Sequence, residues 1–339
     1  MLFDSLFMIL GLASLLLGGD LLCRGGVASA RIIGISPLII GLTWVAFGTS
    51  APELMVSIRA LLADHADIVM GNAIGSNIAN ILLVMGFAAL VMPLSSVFSA
   101  MRPQVYFLLG FTSLFVLASF NQVFEWYHGF VMVGLLVFFL YWSFKRELRE
   151  SSEPHVIPGD VTEPPWPFNH ILNGEGFAER SASTANKQRL LGLGLSFVCT
   201  IVGLIFLLIG SRMLVDGAAS VARTMGVSEA VIGLSVIAIG TSLPELVTSM
   251  VAAYRGHVEL AVGNIIGSNI FNLFGVVGIT ALVGTVPVPL EVINIDIWVM
   301  AGATGLIGVI VLAGSSITRP WGAGLLMIYA IYVAHLWIR

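Results

Sequence analysis

Long apolar runs separated by short polar stretches predict membrane-crossing helices at about residues 2–23, 36–63, 69–92, 104–120 and 124–144, and again at about 191–215, 228–254, 258–284, 293–314 and 320–338. Each run is near the roughly 20 residues that an α-helix needs to cross a bilayer. Between the two sets lies a polar stretch from Lys145 to Arg189, Pro-rich at Glu163-Pro164-Pro165-Trp166-Pro167. It has too little apolar content for a core of its own and is expected to be a flexible tether, with a small regulatory element as the alternative. The expected organisation is a first five-helix repeat over 1–144, a linker over 145–190 and a second five-helix repeat over 191–339.

The two sets are copies of one pattern. At a constant offset of 192, residues 34–86 match 226–278 at 25 of 53 positions without a gap. Gly41 maps to Gly233, Glu53 to Glu245 and Asn80 to Asn272. Five spans is an odd number, so the second copy must enter the membrane from the opposite side. The expected fold class is an all-α polytopic membrane protein of ten transmembrane helices, arranged as two inverted five-helix repeats with broken helices at the midplane, an architecture common among secondary transporters.

Composition supports the membrane reading: 58% of the 339 residues are hydrophobic, 10% are charged, and the mean hydropathy is +0.99. A soluble domain carries about 25% charged residues. No basic stripe points to nucleic acid. Cys23 and Cys199 both lie in apolar runs, which argues against a disulfide framework. No Lys or Arg precedes Arg24, so the first run is expected to be a retained span, not a secretory leader. Of the basic residues, eleven fall on the face that bears the central loop and four on the other. The positive-inside rule then places the central loop in the cytoplasm and both termini outside, in a plasma membrane of the bacterial inner-membrane kind.

The candidate chemistry sits in two matched motifs per half. Gly48-Thr49-Ser50-Ala51-Pro52-Glu53 recurs as Gly240-Thr241-Ser242-Leu243-Pro244-Glu245. The proline cannot donate to the carbonyl one turn earlier, on Gly48 or Gly240, and glycine loosens the helix there. Freed carbonyls at membrane depth are tolerated where they line a cavity. Ser50 and Glu53 are three apart and share a helix face. The second motif is Gly71-Asn72-Ala73-Ile74-Gly75-Ser76-Asn77-Ile78-Ala79-Asn80, recurring as Gly263-Asn264-Ile265-Ile266-Gly267-Ser268-Asn269-Ile270-Phe271-Asn272. Ser76 with Asn80, and Ser268 with Asn272, stack one turn apart. The glycines allow close helix approach.

A single Ser or Thr in a membrane helix commonly just bonds its own backbone. An intramembrane carboxylate is costly and functional by default, and two in matched motifs strengthen that reading. Carboxylate, hydroxyl, amide and carbonyl oxygens are hard donors suited to Ca²⁺ or Na⁺, and no Cys or His lies at the motif centres. No nucleophile–base pair or metal triad points to an enzyme. A Ca²⁺/H⁺ antiporter of the same fold and a cation channel are the rival readings.

At these motifs the chain resembles the calcium/cation antiporter superfamily, most closely its prokaryotic Na⁺/Ca²⁺ exchanger branch. The resemblance implies ten helices in inverted repeats, with four cation sites in a diamond near the midplane and no prosthetic group. It implies that Glu53 and Glu245 are central Ca²⁺ ligands, that Thr49 and Thr241 bind through backbone carbonyls, and that Ser50, Ser76, Ser242 and Ser268 with Asn80 and Asn272 complete flanking Na⁺ sites. It also implies that the first and sixth helices slide as a gate, and that three Na⁺ exchange for one Ca²⁺. The family often carries Asp where this chain has Asn272, which leaves two carboxylates here.

Other features have blander expectations. Asp20 with Arg24, and Arg212 with Asp216, are four apart and predict local ion pairs at the membrane surface. Asn72 and Asn264 are expected to cap or brace helix starts. Asn77 and Asn269 lie off the Ser/Asn face. His65 and His257 mark an interface. Trp126, Tyr127 and Trp337 fit an interfacial belt.

Overall fold

A computed structural model describes residues 2–94, 98–150, 182–225 and 238–338. The chain is almost wholly helical. In the first half the helices are α1 (Leu2–Ile33), α2 (Pro37–Ile40), α3 (Ala46–Thr49), α4 (Ala51–Leu62), α5 (Asp67–Ala79), α6 (Met85–Val91), α7 (Phe98–Ser119) and α8 (Trp126–Glu150). In the second half they are α9 (Ala182–Thr224), α10 (Ala238–Thr241), α11 (Leu243–Tyr254), α12 (Val258–Ile270), α13 (Val277–Val283), α14 (Ile297–Leu312) and α15 (Arg319–Ile338). Short π-helical turns interrupt them at Gly41–Val45, Asn80–Val84, Phe271–Val276 and Val292–Asp296. Two strands, β1 (Val123–Phe124) and β2 (Val286–Pro287), pair antiparallel and join the halves at one end.

Among the described residues, eight helices are long and apolar enough to cross a membrane. The expected span 228–254 falls partly on 226–237, outside the described residues, and α11 covers its remainder. The 20-residue α15 covers the expected span 320–338. The proline-rich part of the linker and the Trp337 side chain also lie outside the described residues. Trp126 and Tyr127 are exposed at the start of α8, where an interfacial belt places them. Cys23 and Cys199 are both free thiols.

Several helices outrun the apolar runs that predict them. α8 continues to Glu150 and α9 begins at Ala182, so helix occupies both margins of the expected 145–190 linker. The physical reason at the first margin is tertiary. Glu147 is buried and its Oε1 accepts the Ser36 backbone N–H at 2.8 Å, so α8 must persist to carry it there. α1 likewise runs ten residues past the expected 23, to Ile33, and stops at Gly34, whose φ of +87° suits glycine.

α1 tolerates charge in its second half because the charge is paired in three dimensions. The Arg24 Nε donates to Asp20 Oδ2 at 2.9 Å, and Arg255, just beyond α11, also pairs with Asp20. The expectation of a purely local pair is therefore corrected: Asp20 ties α1 to the end of α11. The Arg212–Asp216 pair stays local, 3.8 Å apart and mostly exposed. These contexts separate in energy. Exposed pairs contribute about 0–1 kcal/mol, whereas stripping one partner from a buried pair costs about 3–5 kcal/mol. Asp20 is one-fifth exposed and Arg24 less so, so Asp20→Asn should cost about 2 kcal/mol. Arg212→Ala should cost under about 0.5 kcal/mol. Thermal unfolding of the two variants in detergent checks this, and equal shifts would contradict the tertiary role of Asp20.

α1 and α9 lie antiparallel along much of their length, and small residues every seventh position set their spacing. A Cβ on Gly11 would fall 2.9 Å from the Gly210 carbonyl oxygen, one on Gly18 2.7 Å from that of Gly203, and one on Gly25 2.6 Å from that of Ser196. The remaining helices bury α5–α6 and α12–α13 most deeply, and these are the helices that bear the second motif.

Candidate cation site

Both first motifs break their helix at the same residue with the same geometry. α3 ends at Thr49, Ser50 sits at φ −86° and ψ 4°, and α4 restarts at Ala51 with Pro52 next. In the second half Ser242 sits at φ −85° and ψ 3°, and α11 restarts at Leu243 with Pro244 next. Proline fits the first turn of a helix because its missing N–H has no helical duty there. The break thus follows directly from the Ser-x-Pro spacing. Glu53 and Glu245 stand in the first turn of the restarted helices.

The second motifs end in π-helical turns. Asn80 opens one and Asn272 lies within the other. An extra residue per turn re-aims the side chains that follow, and such turns are frequent at functional sites. Spacing at i and i+4 describes Ser76–Asn80 on α5 well, but it misses the π turn that begins there.

The halves meet through these motifs. Ser50 Oγ donates to Glu245 Oε1 at 3.0 Å. Thr49 Oγ1 donates to Asn264 Oδ1 at 3.1 Å and lies 3.4 Å from Ser268 Oγ. The Thr241 side chain lies beside the Glu53 carboxyl, and the two carboxyls are close enough to feel each other's charge. α12 touches α3, and α5 touches α10, so each second-motif helix contacts the first motif of the other half. Of the ten candidate residues, Thr49, Ser50, Glu53, Ser76, Asn80, Ser242, Glu245, Ser268 and Asn272 are buried, and Thr241 is half-buried. Among the described residues, the side chains of Ser76, Asn80, Ser242 and Asn272 make no hydrogen bond to another of the ten.

Six of the buried oxygens have no hydrogen-bond partner: both of Glu53, Oε2 of Glu245, Oδ1 of Asn80, Oγ of Ser242 and Oδ1 of Asn272. Native proteins leave few buried polar groups unpaired. Six in one set of matched motifs, all hard oxygens and two of the groups carboxylates, suit a Ca²⁺ or Na⁺ ion in transit. Among the described residues no group of three or more His, Cys, Asp or Glu could form a softer or more acidic metal centre.

The spacing did not reveal what braces the site. Asn72 and Asn264 do not start helices; each is well inside its own. The Asn72 amide donates to the Glu53 carbonyl at 3.0 Å and to Ser57 Oγ at 2.9 Å. The Asn264 amide donates to Ser249 Oγ at 3.0 Å while its oxygen receives Thr49. A signal was available, because Ser57 matches Ser249 and Asn72 matches Asn264 across the 192 offset. Asn77 and Asn269 turn back instead, each donating to the carbonyl four residues earlier at 2.7 Å.

The family model described as sodium/calcium exchanger protein matches residues 4–145 and 195–338. The chain belongs to the sodium/calcium exchanger family. Within it, the chain is 30% identical over 349 residues to the sodium/calcium exchanger MaX1 of Methanosarcina acetivorans, covering 98% of both chains. It is 34% identical over 285 residues to the inner membrane protein YrbG of Escherichia coli, covering 84% of this chain and 81% of that one. A solved structure of the sodium-calcium exchanger NCX_Mj matches with a TM-score of 0.80 at 30% identity, covering 98% of both chains. The family and the named relatives are exchangers, not enzymes.

Proposed function

We propose that this exchanger moves Ca²⁺ against Na⁺ by alternating access, with its halves acting as inverted five-helix repeats around one central site. The observation that carries the reading is the set of unpartnered buried oxygens around Glu53 and Glu245, drawn together across the halves by the Ser50–Glu245 hydrogen bond. Glu53 and Glu245 hold Ca²⁺, whose charge they match. Thr49 and Thr241 offer backbone carbonyls, and Ser50, Ser76, Ser242, Ser268, Asn80 and Asn272 complete the flanks where Na⁺ binds. The Thr49 hydroxyl donates to Asn264, a bond that ties the first break to α12.

The coupling follows from electrostatics. An empty pair of carboxylates in a chamber of low dielectric repels itself, so the empty site resists occlusion. Cations of either kind relieve that repulsion, and the two fluxes become obligatory partners. The antiparallel, glycine-spaced α1 and α9 support inverted repeats and offer a surface along which the pair can slide. Among the described residues, Ser36 with Glu147 and Leu94 with Ile317 join loops assigned to the same face. The excess of Lys and Arg on that face supports a cytoplasmic central loop and external termini in a bacterial inner membrane, where the inward Na⁺ gradient would drive Ca²⁺ out.

The test is ⁴⁵Ca²⁺ uptake into proteoliposomes loaded with Na⁺, with K⁺ or with neither, with and without a pH gradient. Internal Na⁺ should drive uptake and its absence should reduce it to background. Uptake driven only by the pH gradient would make the coupling ion H⁺, and uptake without any counter-ion would overturn exchange.

A further inference from the structure

Pro244 has no N–H, so the Gly240 carbonyl one turn earlier lacks its helical donor. A residue from another helix fills the gap. Ser211 of α9 is buried, and its Oγ donates to the Gly240 oxygen at 2.6 Å. One turn further along α9, the Val215 side chain abuts Gly240 as well. α9 therefore grips the second helix break through two residues on one face.

The first break has no such grip. The position aligned with Ser211 is Gly19, where a Cβ would fall 3.1 Å from Val247 Cγ1 of α11. A side chain there would meet α11 and not the Gly48 carbonyl. The Cβ side of Gly48 faces the apolar Leu204 of α9. The duplicated motifs are thus alike in themselves and unlike in their support: one freed carbonyl is tied to α9 by a hydrogen bond, and among the described residues the other is not.

This difference reaches the cation site through a short path. Gly240 precedes Thr241 and Ser242 directly, and Ser242 Oγ is buried and unbonded. We propose that Ser211 is a positioning residue for Na⁺ on the second-half flank: by fixing the Gly240 carbonyl it holds the Thr241–Ser242 turn in the register that Na⁺ binding needs. Ca²⁺ depends on it less. The Ca²⁺ charge is met by the two carboxylates, and Glu245 is held separately by Ser50. A carbonyl has two lone pairs, so the Ser211 bond does not bar the Gly240 oxygen from a cation.

The inference rests on the Na⁺/Ca²⁺ reading, and the experiment separates the two. Half-saturating Na⁺ and Ca²⁺ concentrations are measured in proteoliposome exchange for the parent, Ser211→Ala and Ser211→Thr, with thermal unfolding of each. Losing one hydrogen bond should raise the half-saturating Na⁺ in Ser211→Ala about fivefold. The Ca²⁺ value should stay within about twofold, and Ser211→Thr, which keeps the hydroxyl, should restore Na⁺. No Na⁺ drive in the parent would sink the Na⁺/Ca²⁺ reading and this inference with it. Na⁺ drive in the parent that Ser211→Ala leaves unmoved would sink the inference alone. So would Na⁺ and Ca²⁺ values that shift together with stability, which is the mark of a merely structural serine.

Discussion

Glu53→Gln is expected to abolish Ca²⁺ exchange and to leave the ion-free protein folded and more stable than the parent. Both effects come from one feature: the Glu53 carboxylate is fully buried beside the Glu245 carboxylate. Gln has nearly the same shape and can still accept from the Thr241 side chain beside it. It removes a buried charge and its repulsion with Glu245, which is unfavourable whenever no cation is bound. With Ca²⁺ present the sign reverses, because one carboxylate no longer balances two charges. Deleting one member of a buried charge pair costs about 3–5 kcal/mol. That weakens Ca²⁺ binding by about two to four powers of ten. Two readouts check it: ⁴⁵Ca²⁺ uptake should fall to background, and the rise in melting temperature that Ca²⁺ gives the parent should vanish. Glu245→Gln should lose exchange equally but gain less ion-free stability, since Ser50 already donates to its Oε1. Exchange in Glu53→Gln above about a tenth of the parental rate would remove Glu53 from the centre of the site, given the expected loss of affinity.

How far this chamber can be read without coordinates depends on whether a contact is local or distant in the chain. The Ser-x-Pro break and the carboxylate after it are local consequences of proline, so both halves display them in sequence and both breaks adopt the same dihedral angles. The stacking of Ser76 with Asn80 is local too. The π turn that opens at Asn80 is not, because the chain around it reads as unbroken helix and only packing selects the extra residue. Helix ends fail for a similar reason. Hydropathy stops α1 just before its first basic residue, Arg24, yet the helix continues because Asp20 pairs with Arg24 and with Arg255, 235 positions away, and charge that looked like a boundary is internal. Between these limits stand Asn72 and Asn264. Their partners are distant, but duplication wrote the arrangement twice, so Ser57 and Ser249 could be found by comparing the halves. Ser211 has no counterpart, and only the fold shows it.

Identical residues in the duplicated motif should respond differently to the same substitution. A Cβ on Gly263 would fall 2.5 Å from the Leu38 carbonyl oxygen, and one on Gly267 2.6 Å from that of Leu42. Gly71 and Gly75 occupy the matching positions of α5, and among the described residues nothing lies within 4 Å of a Cβ there. Residues 230–234, aligned with 38–42, lie outside the described residues. Overpacking costs about 1–3 kcal/mol, so Gly263→Ala and Gly267→Ala should each lower the melting temperature. Gly71 is exposed and Gly75 half-buried, so Gly71→Ala and Gly75→Ala should leave it unchanged. Exchange should nevertheless fail in the second pair as well. If access alternates between inverted halves, the opposite state requires α5 to adopt the close approach that α12 shows here. Alanine at 71 and 75 then penalises that state alone. A penalty of about 1–3 kcal/mol shifts the balance between the two states by about five- to 150-fold toward the packing observed. The double variant Gly71→Ala/Gly75→Ala should therefore melt like the parent and exchange Ca²⁺ at least about tenfold more slowly, since its two penalties fall on one state. Parental melting with parental exchange would show that α5 never makes that approach, and the cycle could not be a trading of packing between the halves. Reduced melting in all four single variants would mean that the asymmetry between α5 and α12 does not persist in the membrane.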